Sequence, residues 1–249
     1  MAKYKSLFKV RGSLDDVNFY KTKKGYRMRT KGGVTREQIL NGAAFERTRE
    51  NISEFSLSAS SGKLLRRTIL DLVSNAKDSN LSARLTQTMI KVKNFDTTSA
   101  RGQRKVEVGI QLPEGKAVLK GFNFNERSKL EEVLLKGYTL DSATGEVVLS
   151  NFIPSQHLLL PQGATHVEFT AGFANLDFAT TEKELQLSNV VNLSVGPTAS
   201  NITLTPVAVP VGTGQSLYVL KVAFFQEING LQYPLKNGAF NALQLLEVL

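Results

Sequence analysis

Residues 43–75 read AAFERTRENISEFSLSASSGKLLRRTILDLVSN. Phe45, Ile52, Phe55, Ala59, Gly62, Ile69 and Val73 recur at intervals of three, four or seven, which predicts an amphipathic helix carrying one apolar stripe. The same stretch contains Arg47, Arg49, Lys63, Arg66 and Arg67, so the helix that serves the core also carries a basic surface. On an unbroken helix Arg66 projects near the stripe, where a permanent charge is costly. Either Ser60-Ser61-Gly62 bends the helix, or Arg66 meets a carboxylate such as Asp71 or Glu54.

Working outward, Lys23-Lys24-Gly25 separates Val17-Asn18-Phe19-Tyr20 from Tyr26-Arg27-Met28-Arg29 as a hairpin turn does. Period two then places Tyr26 and Met28 on one face and Arg27, Arg29 and Lys31 on the other. Thr35 and Gln38 form a capping-box pattern for a short helical turn before Asn41-Gly42. A second helix over Leu81–Lys93 presents Leu81, Leu85 and Met89 at spacing four, so the two long helices read as a hairpin of helices. Val106 to Leu112 alternates as a strand, and Asn125 to Leu134 reads as a short helix with an Asn cap. Beyond it, strands are predicted at Tyr138 to Asp141, Glu146 to Asn151, His166 to Phe173, Glu184 to Leu193, Ile202 to Val209, Leu217 to Gln226 and Ala242 to Val248. The fold class expected is α+β: a basic N-terminal β-hairpin plus helical hairpin over 1–100, followed by a mainly antiparallel β-sandwich or jelly-roll-like half over 101–249.

Bulk composition narrows the function. The formal net charge of the 249 residues is +9, with no cysteine and only two histidines. Residues 1–105 hold 23 Lys or Arg against 9 Asp or Glu, whereas residues 106–249 hold 8 against 13. A basic first half of this kind faces an acidic partner: nucleic acid, an anionic surface, or the acidic half of another copy. The absence of cysteine removes disulfides, thiolate metal sites and Cys nucleophiles. Charges interleave with the apolar residues of the N-terminus, so no signal peptide is read there, and no stretch has the length of a membrane span. The expected location is the cytoplasm, or incorporation into an assembly.

No catalytic, cofactor or metal site is read. His157 precedes three leucines, and His166 opens a strand with Glu168 on the same face, a weak basis for a metal site. There is no G-x-S-x-G elbow. Gly212-Thr213-Gly214 lacks the Lys-Ser/Thr of a phosphate loop and reads as a hairpin turn. Asp15-Asp16 and Glu131-Glu132 are sequence neighbours that point to different sides and read as solvated caps. The constellation with weight is cationic: Lys21, Lys23, Lys24, Arg27, Arg29, Lys31, Arg47, Arg49, Lys63 and Arg67, with Tyr4, Tyr20 and Tyr26 interleaved nearby. Cations with aromatics suit phosphate contact and base stacking; equally, long cationic side chains solvate a strand or helix face, or answer acidic patches in an oligomer.

Gly12-Ser13-Leu14, Lys31-Gly32-Gly33 and Phe45-Glu46-Arg47-Thr48-Arg49-Glu50-Asn51 with Glu54-Phe55 carry a resemblance. They are similar to a group of basic, uncharacterised proteins of Bacteroidota that share a G-S-L opening, a K-G-G step and an F-x-x-T-R-x-N-x-x-E-F helix, over roughly residues 7 to 70. The resemblance implies an accessory or structural bacterial protein and transfers no catalytic residue. Within its motif, Arg47, Arg49, Asn51 and Glu54 suggest an internal network holding the hairpin to the helix. The leading expectation is a non-enzymatic structural or assembly protein that self-associates or binds an acidic protein partner, of a phage-like or appendage-like kind. From Leu185 up to Lys221 there is no ionised side chain, and so long an uncharged run invites an interface or sheet burial. The alternative is a nucleic-acid-binding protein using the basic hairpin and helix.

Overall fold

The computed structural model describes residues 2–3 and 9–249; Tyr4 of the cationic set lies outside them. In chain order the elements are β1 (Ala2–Lys3), β2 (Gly12–Leu14), β3 (Val17–Thr22), β4 (Gly25–Thr30), α1 (Arg36–Asn41), α2 (Glu46–Thr68), α3 (Leu70–Val73), α4 (Leu81–Lys93), α5 (Val106–Gly109), α6 (Pro113–Leu119) and α7 (Leu130–Val133). They are followed by β5 (Thr139–Leu140), β6 (Val147–Phe152), α8 (Pro154–His157), β7 (His166–Leu176), β8 (Lys183–Leu187), β9 (Val191–Ser194), β10 (Ser200–Leu204), β11 (Gln215–Ile228), β12 (Leu231–Pro234) and β13 (Ala242–Val248). The chain is α+β and forms two compact units, residues 1–50 and 51–249.

The first unit contains an antiparallel sheet of order β1-β4-β3-β2. Its hairpin pairs Lys21 with Tyr26, Phe19 with Met28 and Val17 with Thr30, so the face parity read from the sequence holds. Gly25 closes the turn at φ +108°, a backbone region that glycine enters without steric cost. Helix α1 starts with a reciprocal box in which Thr35 and Gln38 bond each other's backbone N–H.

The second unit is layered. A six-stranded antiparallel sheet runs β12-β11-β7-β8, with β13 on the far edge of β11 and β9 on the far edge of β7. One face of this sheet packs against the helices through Leu65, Ile69, Leu72, Leu85, Met89 and Val92. The other face packs against a three-stranded sheet of order β10-β6-β5 through residues such as Leu149, Phe152, Phe169, Ile202 and Phe224. The sandwich-like pairing of sheets lies in the C-terminal half, as anticipated. Helices from residues 51–93 share a core with this sheet, which is why the change in composition near residue 100 does not mark a change in packing.

Several local expectations are corrected. The buried residues of α2 are Glu54, Ser58, Gly62, Leu65 and Thr68, whereas Ile52 and Phe55 are 54% and 56% exposed. Over its first half the buried face therefore lies one position off the apolar stripe, and it is polar there because Glu54 anchors an ionic cluster, whereas Gly62, Ile69 and Val73 of the stripe are buried. Ser60-Ser61-Gly62 does not break the helix; Ser61 Oγ bonds Leu57 O instead, and the interruption falls at Ile69 (φ −107°, ψ 34°). Val106–Leu112 is not a strand. Val106 and Gly109 sit in the short helix α5 because the fold buries an i, i+3 pair there. Asn125 does not cap a ten-residue helix. Its side-chain amide donates to the carbonyls of Ala239 and Asn241, leaving only the single turn α7. Glu184 to Leu193 is two strands, each pairing with a different part of β7. Strand β10 stops before Pro206, which lacks the N–H a ladder needs. Gly212-Thr213-Gly214 is not a hairpin turn, since β10 pairs with β6 and not β11; Asn175 Oδ1 accepts from Gly214 N at 3.0 Å and pins the loop.

Candidate functional site

The predicted cations divide between the two units. On the hairpin, antiparallel register sets Arg27 opposite Tyr20 and Arg29 opposite Asn18, so both guanidinium groups belong to one face. The Arg29 guanidinium lies 5.8 Å from the Tyr20 ring centroid. Across the sheet, Tyr26 lies beneath Lys9 Nζ at 5.4 Å, Arg11 at 5.8 Å and Lys21 Nζ at 5.9 Å. These are cation–π distances. Lys23 and Lys24 project from the tip, where Thr22 Oγ1 accepts from Lys24 N at 3.2 Å and donates to Gly25 O at 2.9 Å. Arg27 and Arg29 therefore make one face cationic, Lys23 and Lys24 occupy the tip, and on the opposite face the cations gather around Tyr26.

Arg47 and Arg49 are engaged locally. Arg47 pairs with Glu50 at 3.0 Å. Arg49 donates to the carbonyls of Ile39 and Gly42, both at 2.8 Å, and so staples the end of α1 to the start of α2. The motif residues Arg47, Arg49, Asn51 and Glu54 thus do not make one network.

Glu54 is the centre of a different cluster. It is 2% exposed, and its carboxylate accepts from Arg104 Nε and a second Arg104 nitrogen at 2.8 and 2.9 Å, from Gly102 N at 2.9 Å, and from Lys93 Nζ. The hydrogen bonds from Arg104 come first among the causes that hold its pKa at about 2; burial opposes them, while Lys93 and Gly102 N add to them. Asp96 acts beside it. Burial disfavours its charge, but hydrogen bonds from Ser99, Lys105 N and Thr98 outweigh that and push its pKa well below the usual range. Both carboxylates stay ionised at neutral pH with their acceptor sites occupied. Their chemistry is closure of the loop over residues 94–105, not proton transfer. A sequence signal for this cluster existed: an acid on the core side of a helix demands buried cations, although sequence alone nominated Arg66 rather than Lys93 and Arg104.

Lys63 and Arg67 stand in the second unit, on the last turns of α2. The structure brings them together with Arg66 and Lys77 around an open cavity. Sequence reasoning did not include Lys77, because nothing in the sequence shows that the loop after α3 returns to α2. Arg66 finds neither of the carboxylates expected for it: Glu54 is taken by Lys93 and Arg104, and Arg66 Nε is buried without a hydrogen-bond partner.

The two histidines serve local structure. His157 Nδ1 accepts from Ile153 N at 2.9 Å, and His166 Nε2 lies 3.5 Å from Glu227. Glu168 faces Lys221 at 3.6 Å. Glu131 accepts from Asn123 and Gln244 rather than capping a helix. Among the described residues, no helix is long and apolar enough to cross a membrane.

Comparison with family models, with curated proteins and with solved structures finds no match to this chain.

Proposed function

We propose that this is a non-enzymatic structural or assembly protein whose basic N-terminal unit docks on an acidic protein surface, other copies of the same chain included. One observation carries the reading: no described residue of the first unit is buried, although the unit forms a four-stranded sheet. Leu14, Val17 and Met28 share one face of that sheet by register, with Lys21 and Tyr26 toward the turn, and Leu14 and Met28 are 64% and 37% exposed. A sheet gains stability by covering an apolar face. Docking supplies that cover, and the cations of the other face and tip supply attraction and orientation toward an acidic partner. The uncharged run before Lys221 supplies a second low-charge surface of the kind that interfaces favour.

A second reading is nucleic-acid binding. It is favoured by the placement of Tyr20 and Tyr26 among Arg29, Lys9, Arg11 and Lys21, since cations beside rings provide phosphate contact and stacking together.

Sedimentation velocity of the untagged chain at low and high salt, recorded at 260 and 280 nm, separates the two. Assembly gives large species without excess 260 nm absorbance, and exchanging Arg27 and Arg29 for glutamate reduces their size. A small species that carries nucleic acid at low salt and sheds it at high salt favours the second reading. A monomer under both conditions would count against self-association.

A further inference from the structure

Lys63, Arg66 and Arg67 occupy positions i, i+3 and i+4 on α2 and so share one side of the helix. The loop after α3 brings Lys77 to the same place, and together with Leu70, Val73 and the first residues of α4 these side chains line an open cavity of about 450 Å³. That volume lies within the range of small-molecule sites.

The charges around the cavity are unbalanced. None of the four cations makes an ion pair or hydrogen bond among the described residues. Asp78 is the acid in the lining, and its carboxylate is already occupied by Arg84, by Asn80 N at 2.5 Å and by Glu126 N at 3.1 Å. Cations on the last turn of a helix do complement its dipole, which accounts for exposed Arg67. It does not account for Lys77, which is on a loop, nor for Arg66 Nε, a buried donor with no acceptor. A buried donor without an acceptor is unfavourable, and an anion in the cavity that Arg66 lines would supply one. The first turn of α4 points the same way: Asn80 makes no side-chain cap, and Ser79, Leu81 and Ser82 border the cavity.

We infer that this cavity binds a small diphosphate-bearing ligand, held by Lys63, Arg66, Arg67 and Lys77. With Asp78 engaged by Arg84, the four cations meet no opposing carboxylate among the lining residues. One phosphate group carries about −1.5 to −2 at neutral pH, so two linked phosphates match the site better than one. Arg66 supplies a planar donor fork, and the lysines supply mobile point charges around it. The site lies wholly within residues 51–249, apart from the hairpin on which the proposed docking depends.

The test is calorimetric titration of the full chain with inorganic pyrophosphate, with ionic strength held constant by KCl. The expected result is one saturable site per chain that binds orthophosphate more weakly. Arg66→Gln and Lys77→Gln each reduce pyrophosphate affinity by about tenfold or more, the loss expected for a charge-assisted hydrogen bond. Neutralising Arg27 and Arg29 on the hairpin leaves it unchanged, so failure of the docking proposal and failure of this one are distinguishable. Lys77 is exposed, and Lys77→Gln carries the test if Arg66→Gln does not fold. The proposal is overturned by absence of saturable heat, by unchanged affinity in Lys77→Gln, by an equal loss in the hairpin variant, or by binding of polynucleotide at these residues without pyrophosphate.

Discussion

Glu54 and Lys93, thirty-nine residues apart in the chain, meet as an ion pair whose side chains are 3% and 7% exposed. Arg104 completes the pair from the other side. A buried pair gives little net stability, but losing one partner leaves an uncompensated buried charge. Glu54→Ala is expected to lower the unfolding free energy by about 3–5 kcal/mol, measured by urea denaturation, and to expose the loop over 94–105 to proteolysis.

The same carboxylate gives acid sensitivity. Its folded pKa, about 2, lies below the ordinary value of 4.5. A depressed carboxyl pKa contributes stability that is fully present above the ordinary value and is lost as pH falls through the folded one. The loss therefore falls between about pH 4.5 and pH 2 and amounts to about 3 kcal/mol. Asp96 and Asp78, both shifted downward, act with the same sign. Denaturation midpoints collected down this range should fall less in Glu54→Gln than in the parent; an identical slope in the two would remove Glu54 from the explanation.

Glycines set the spacing of the helical layer. A Cβ at Gly109 would stand 2.1 Å from Val92 O, and one at Gly115 would stand 2.0 Å from Gly109 O. Backbone obstructs both, so Gly109→Ala and Gly115→Ala force α4, α5 and α6 apart and cost about 1–3 kcal/mol or more. Gly137 has nothing within 4 Å of its Cβ position, and Gly137→Ala is expected to stay within about 0.5 kcal/mol of the parent. Thermal melts of the three variants compare them directly.

What the sequence disclosed, and what it withheld, follows from the range of the interactions. Helix α4 was legible to the residue because its apolar spacing, polar preceding break and terminal lysine all agree locally. The hairpin was legible because its turn and alternation are short-range. The buried face of the first half of α2 was not, since Glu54 is made a core residue by Lys93 and Arg104, far along the chain. Val106 to Leu112 reads as a strand because two-residue alternation and a single helical turn place the same valines almost equally well. Of the cations, the hairpin set was visible at once. The cavity set was only half visible, because Lys77 joins Lys63 and Arg67 through tertiary folding alone.

Every described buried side chain belongs to residues 51–249. Removing residues 1–45 while keeping α2 from Glu46 is therefore expected to shift the main melting transition by no more than a few degrees, as followed by circular dichroism, while abolishing salt-dependent association. A collapse of the transition would show that the basic unit supports the core.

Asn241 joins distant elements: its Oδ1 accepts from Phe224 N and its amide donates to Asn75 O, both at 3.0 Å. Asn241→Leu leaves both backbone groups without these partners and is expected to cost about 2–4 kcal/mol, read from chemical denaturation.

Strand β11 sends Leu217 and Val219 into the helical side of the unit, and Tyr218, Leu220, Val222 and Phe224 into the opposite side. Because a single strand furnishes both layers, neither layer can melt while the other persists. Residues 51–249 should consequently unfold as one calorimetric event, with equal van't Hoff and calorimetric enthalpies, and amide protons along β11 should exchange only through global opening.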